Sequence, residues 1–170
     1  MPPAFVVEFS DAAAVRPLRH DVLRPGRPSA EAVFDGDDDP RAGHVVVRAP
    51  TGRNPPEGDD VAQGATNEVL AVGSVMPEAA PWEPGRTDGW RIRGMATRPS
   101  ARRQGLGRTV LQALTGHVAR HGGGLLWCNA RTGALRLYEG AGFTGRGEVF
   151  DVPGMGPHLH MWRNVAADRS

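Results

Sequence analysis

The residues best equipped for chemistry form one run, Arg102-Arg103-Gln104-Gly105-Leu106-Gly107-Arg108, lying between a predicted strand and a predicted helix. Successive backbone N–H groups that open onto a helix N-terminus make a concavity of positive partial charge, suited to an anion. Gly105 and Gly107 leave room for a phosphate against the backbone, where a Cβ would intrude. Arg102, Arg103 and Arg108 add fixed positive charge around the same point. The plain alternative is a surface helix start with solvated arginines. Other phosphate loops fail on spacing. The chain holds no Lys and no GxxxxGK[ST], and Val110 stands where a dinucleotide fingerprint needs its third Gly.

Three further sets invite a reading. His158 and His160 lie two apart on a predicted strand and so share a face, and imidazole is suited to moving protons near neutrality. As a zinc pair they lack a clear third ligand nearby. Cys128 sits inside an apolar strand with no activating partner and reads as a buried, inert thiol. Asp35, Asp37 and Asp39 match the first, third and fifth positions of a calcium loop. Pro40 then replaces the required Gly and Val46 the closing Glu, so a solvated acidic loop is expected instead.

These residues need elements to hold them. Ala4 to Phe9 reads as a short strand, after which Ser10 and Asp11 offer N-caps to a helix that fades by Pro25 and Pro28. His44 to Ala49, Glu68 to Met76 and Trp90 to Thr97 read as strands, the second apolar on both alternations and so covered on both faces. Pro50 to Asn67 reads as a long mobile connection. Leu106, Val110, Leu114 and Val118 recur at a spacing of four and mark the strongest helix, stopped by Gly122 to Gly124. Leu125 to Ala130 is a buried strand, and Ala134, Leu137, Tyr138 and Ala141 trace a short helix ended by Gly142. Phe143 to Val152 and His158 to Val165 close as two strands. The class is mixed α/β.

Composition narrows the field. A chain of 170 residues is the size of one domain, taken here as residues 1–170. Gly (23) and Pro (15) together stay below the roughly 25–30% of low-complexity chains, which means loops rather than disorder. A net charge of +1 and the lack of an extended basic stripe argue against nucleic acid and anionic membrane as partners. One cysteine fits a reducing compartment, the first residues do not read as a secretory signal, and no apolar run approaches the ~18 residues of a membrane span. A cytoplasmic location is the expectation.

The order of motifs then points to a family. Arg102, Gly105 and Gly107 fit the acyl-CoA loop Q/R-x-x-G-x-G/A, and the strand after the helix leads to Ala134, Tyr138, Gly142 and Phe143, which fit A-x-x-x-Y-x-x-x-G-F. At this spacing, from about Trp90 to Phe150, the chain resembles the GNAT superfamily of acyl-CoA-dependent N-acyltransferases. The segments LRPGRP, RGMAT, LWCNAR and GPHLHM resemble a subgroup of small bacterial-type members. The resemblance implies a central, mostly antiparallel twisted sheet of six to seven strands flanked by about four helices. It implies acetyl-CoA as co-substrate without a metal, a small-molecule or peptide amine as acceptor, and it is compatible with a homodimer. An acyl-CoA-binding module without turnover is the alternative function. One departure stands out: many relatives carry Asn seven residues before the Tyr, where this chain has Arg131, with Asn129 two residues earlier.

By the same resemblance, the backbone of Met95, Ala96 and Thr97 would bond the pantetheine arm and the acyl carbonyl. The amides from Arg103 through Gln104, Gly105, Leu106 and Gly107 to Arg108 would cradle the pyrophosphate, with Arg102 beside them. Tyr138 would protonate the leaving thiolate, although it also lies on the apolar face of its helix, where a core aromatic is the alternative. A lysine-like amine is neutral in only about one molecule per thousand at pH 7, a handicap of roughly 4–5 kcal/mol, so a base is expected. His158 is the candidate, with an ordinary structural histidine as the alternative and Glu148 and Glu68 behind it.

Overall fold

The computed structural model describes residues 5–50 and 68–170. Its elements run β1 (Val6–Ser10), α1 (Ala12–Leu23), β2 (Gly43–Arg48), β3 (Val69–Pro77), β4 (Gly89–Thr97), α2 (Leu106–Arg120), β5 (Gly124–Arg131), α3 (Leu135–Gly140), β6 (Thr144–Val152) and β7 (Gly156–Val165). Seven strands form one sheet in the order β1-β2-β3-β4-β5-β7-β6. Every neighbouring pair is antiparallel except β4 and β5, which run parallel with α2 between them in sequence. Most of the anticipated connection from Pro50 to Asn67 lies outside the described residues.

The periodicities explain the layers. Leu106, Val110, Leu111, Leu114 and Val118 of α2 pack with Val45, Val47, Ala71, Val75, Ile92 and Leu126 on one face of the sheet. On the opposite face, Val15 and Leu18 of α1 meet Val46, Val72 and Ala96. Strand β3 is therefore covered on both sides, as its apolar run implies, and its residues from Leu70 to Met76 are buried. Each such aliphatic side chain contributes about 1.5–3 kcal/mol by leaving water. The Asp11 side chain caps α1, accepting from the Ala14 N–H at 2.9 Å.

Two expectations are corrected. Among the described residues, three α-helices flank the sheet, against the about four expected. Short 3-10 turns occupy Ser29–Ala32, Pro99–Ala101 and Thr132–Ala134. The acidic loop is also not wholly solvated. Asp37 is buried and receives two hydrogen bonds from the fully buried Arg19, at 2.8 and 3.1 Å. No helix among the described residues is long and apolar enough to cross a membrane.

Candidate active site

A local irregularity opens the sheet. Against β3, the partners step from Val72↔Ala96 to Ser74↔Arg93, so β4 carries one extra residue there. Gly94 absorbs the bulge with φ +66°, a left-handed conformation that glycine adopts without steric cost. Pairing of β4 with β5 extends only from Gly89↔Leu125 to Ile92↔Cys128, while β5 stays paired with β7 as far as Arg131↔His158. Beyond Ile92 the two parallel strands part company. The cleft between them has a volume of about 720 Å³.

Most of the expected site residues meet in this cleft. Met95, Ala96 and Thr97 line it from β4, Arg102, Arg103 and Gly107 from the loop, Tyr138 from α3 and His158 from β7. Gln104, Gly105 and Arg108 are exposed at the loop and the start of α2, outside that lining. The Leu106 side chain is in the core, which leaves only its backbone for a ligand. Glu148 is exposed on β6, and Glu68 pairs with Arg98 at 3.1 Å; neither lines the cleft.

The loop has the electrostatics its sequence suggests. Gly105 caps α2 in a left-handed conformation (φ +76°), without any side-chain cap. Arg103 is also left-handed (φ +65°), a strained state for a non-glycine residue and a feature that favours concave runs of N–H groups. Among the described residues, no acceptor satisfies the N–H groups from Arg103 to Arg108. Nor does any carboxylate pair with Arg102, Arg103 or Arg108. A Cβ added at Gly105 would meet nothing within 4 Å, so the space beside it is open. Unmet donors, a helix start and three free guanidinium groups suit a pyrophosphate.

Deeper in, Tyr138 is only 5% exposed and stacks edge-on against Phe143, with ring centroids 5.4 Å apart. Its phenol neighbours the buried Cys128. Burial first, and the neighbouring Cys128 second, push the phenol well above its usual pKa of about 10. Burial likewise pushes the Cys128 thiol up to about 12, which leaves it inert at neutral pH. Both alternatives raised for Tyr138 are thus compatible with its position: it is a core aromatic that also lines the cleft.

The two histidines share a face of β7, both rings lying against Phe150, but only His158 lines the cleft. His158 is buried, lines the cleft, and donates from Nδ1 to the Gly156 carbonyl at 2.8 Å. A carbonyl can only accept, so the neutral ring carries its proton on Nδ1 and leaves the Nε2 lone pair available. His160 donates from Nδ1 to Asn129 Oδ1 at 2.7 Å and packs against Phe150 and Trp82 outside the cleft lining. Arg131 and Asn129 both line the cleft, so the position where relatives carry Asn is still part of its wall.

Sequence reasoning missed the frame beneath the bulge. Arg19 also donates to the Ala32 carbonyl at 2.7 Å and to Ser74 Oγ at 2.8 Å. His44 joins the same network through Ser74 Oγ at 2.7 Å and the Asp37 carbonyl at 2.9 Å. Burial works against the Asp37 carboxylate, but the bonds from Arg19 and the Phe34 N–H outweigh it and hold its pKa below the usual value. A signal existed: Arg19 lies on the apolar face of α1, four residues from Val15 and one from Leu18.

Comparison with known proteins agrees with this geometry. Residues 32–143 match the acetyltransferase (GNAT) family, and the chain belongs to that family. It is 26% identical over 152 residues to the uncharacterized N-acetyltransferase YitI of Bacillus subtilis (strain 168), covering 89% of this chain and 91% of that protein. Its fold is similar to that of Escherichia coli ElaA, with a TM-score of 0.70 at 14% identity, over 94% of this chain and 99% of the other. It is also similar to YncA from Salmonella typhimurium, solved with its cofactor acetyl-CoA, with a TM-score of 0.65 at 16% identity, over 98% and 97% of the two chains.

Proposed function

We propose that this protein transfers an acetyl group from acetyl-CoA directly to a primary amine on a small molecule or peptide. The observation that carries the reading is the parting of β4 from β5, which puts the Met95–Thr97 edge, the arginine loop and buried Tyr138 around one cleft. The unmet N–H groups from Arg103 to Arg108 suit the pyrophosphate, and Arg102, Arg103 and Arg108 offset its charge. The strand edge from Met95 to Thr97, free of β5, lies where N–H groups can stabilise negative charge growing on the thioester oxygen.

His158 Nε2 takes the proton of the attacking amine, directly or through water. Tyr138 donates a hydrogen bond to the sulfur as the C–S bond breaks. Its raised pKa keeps the phenol protonated, and a thiolate with a pKa near 8.5 needs only that modest help. The products are free CoA and the acetylated amine, with every proton accounted for between these two residues and solvent.

Release of free CoA, measured against a panel of primary amines, tests the reading. Amine-dependent release with a matching acetylated product is expected. Tight acetyl-CoA binding with no amine-dependent release would instead favour a binding module that does not turn over.

A further inference from the structure

Arg93 stands on β4 beside the bulge at Gly94 and lines the cleft. It is half-buried, and its guanidinium lies 4.1 Å from the centroid of the Phe34 ring, which Arg19 also approaches at 4.1 Å. Its neighbours have counterions: Arg19 pairs with Asp37 at 2.8 Å, and Arg91 with Glu78 at 3.3 Å. Arg93 has no carboxylate within ion-pair distance among the described residues.

The same side chain lines the main cleft and two depressions beside it, of about 150 and 330 Å³. The smaller is walled by Arg24, Arg91, Phe34, Asn129 and His158 as well, and no carboxylate lines it. The larger holds Glu31, already paired with Arg27, and the exposed Asp35. A guanidinium drawn partly out of water without a counterion gains most from a planar anion that its fork can grip twice. A polycationic acceptor would meet three arginines here and be repelled.

Resting on the acetyltransferase reading above, we propose that the acceptor is a small amine bearing a carboxylate, held through that carboxylate by Arg93. His158 lines the same small depression, so an amine a few bonds from the carboxylate is presented to the base. Arg93 thereby selects acceptors by their acid group, and the apolar wall of Phe34 receives what else they carry.

The test compares free amino acids with their amides in the CoA-release assay, for wild type, Arg93→Gln and Arg93→Lys. The amide series is a stringent control, because α-amines without a neighbouring carboxylate have pKa values near 7.7–8.0 and are less protonated at neutral pH. Acids should still exceed amides in kcat/KM by about tenfold or more. Arg93→Gln should cut that ratio by about 10–100-fold, the usual worth of a charged hydrogen bond, and Arg93→Lys should restore part of it. A second arm titrates the CoA-loaded protein calorimetrically with N-acetyl amino acids and their amides, so that carboxylate recognition is read without turnover. Carboxylate-dependent binding lost in Arg93→Gln, with no CoA release from any amine, would support the carboxylate site and sink the transferase reading. CoA release with equal use of acids and amides, unchanged in Arg93→Gln, would sink the carboxylate site and leave the transferase standing. Preference for a phosphorylated amine over every carboxylated one would also overturn the assignment.

Discussion

Tyr138 keeps its phenolic proton because it is buried, first of all, and because it neighbours Cys128, a thiol that is itself almost never ionised. Such a group is a steady hydrogen-bond donor and a reluctant acid. Tyr138→Phe removes only the hydroxyl, so the ring still packs on Phe143 and the fold should barely change. Turnover should fall by about 10², the low end for a positioned acid, since a thiolate leaves fairly well unaided. Acetyl-CoA affinity should stay within a few-fold, because the phenol acts mainly as the transition state forms. The upward pKa shift also means that any alkaline limb owed to the phenol lies above pH 10. Steady-state rates from pH 7 to 10, with calorimetric titration of acetyl-CoA, check all three points. A folded Phe variant with near-normal kcat would leave Tyr138 as a core aromatic alone.

At the scale of elements, the bulge in β4 and the Arg19 network depend on each other. A Cβ on Gly94 would come within 2.6 Å of Arg19 Nε and 3.2 Å of the Phe34 ring, at a φ of +66° that already costs an L-residue about 1–2 kcal/mol. Arg19 cannot step aside freely, since its other nitrogens are bonded to Asp37, Ala32 and Ser74. Gly94→Ala should therefore lose about 2–4 kcal/mol in urea unfolding, within the range of diagnostic single substitutions. Gly85→Ala, where an added Cβ meets nothing within 4 Å, should change little. Equal midpoints for the two variants would refute the coupling. The contrast also shows what was legible beforehand. Strands and helices announced themselves through periods of two and 3.6, and the loop through Gly105 and Gly107. The Arg19–Asp37 pair did not, because it joins residues 18 apart and ties in Ser74 a further 37 away, which no local pattern encodes. Arg93 was equally silent, since only the bulge reveals that it faces the cleft without a carboxylate.

Across the whole molecule, acid should weaken the fold in two separate windows. His117 on α2 donates from Nε2 to the Arg41 carbonyl at 2.7 Å, and its ring stacks on His121 at 4.0 Å and Phe9 at 5.4 Å. Burial lowers its pKa below 6.5, outweighing the bond to Arg41, and the charges of His121, Arg120 and His44 lower it further. Burial lowers His160 in the same direction, with Arg91 and Arg146 adding to it. For both, the unfolded chain takes up its proton first as pH falls, so their contribution is complete above about 6.5 and is lost below it. Asp37 is opposite in charge type, but its loss runs the same way: its lowered pKa contributes stability above about 3.8 that disappears as pH falls through the folded value. Melting temperatures from pH 8 to 3 should thus show a plateau, a decline beginning near 6.5 and a second, steeper decline below 4. His117→Gln, which cannot titrate, should flatten the first decline and leave the second. Asp37→Asn should remove much of the second at the cost of lower stability throughout, because it leaves Arg19 buried without its counterion. If His117→Gln declines between pH 7 and 5 as steeply as the wild type, His117 is not the source of the first window.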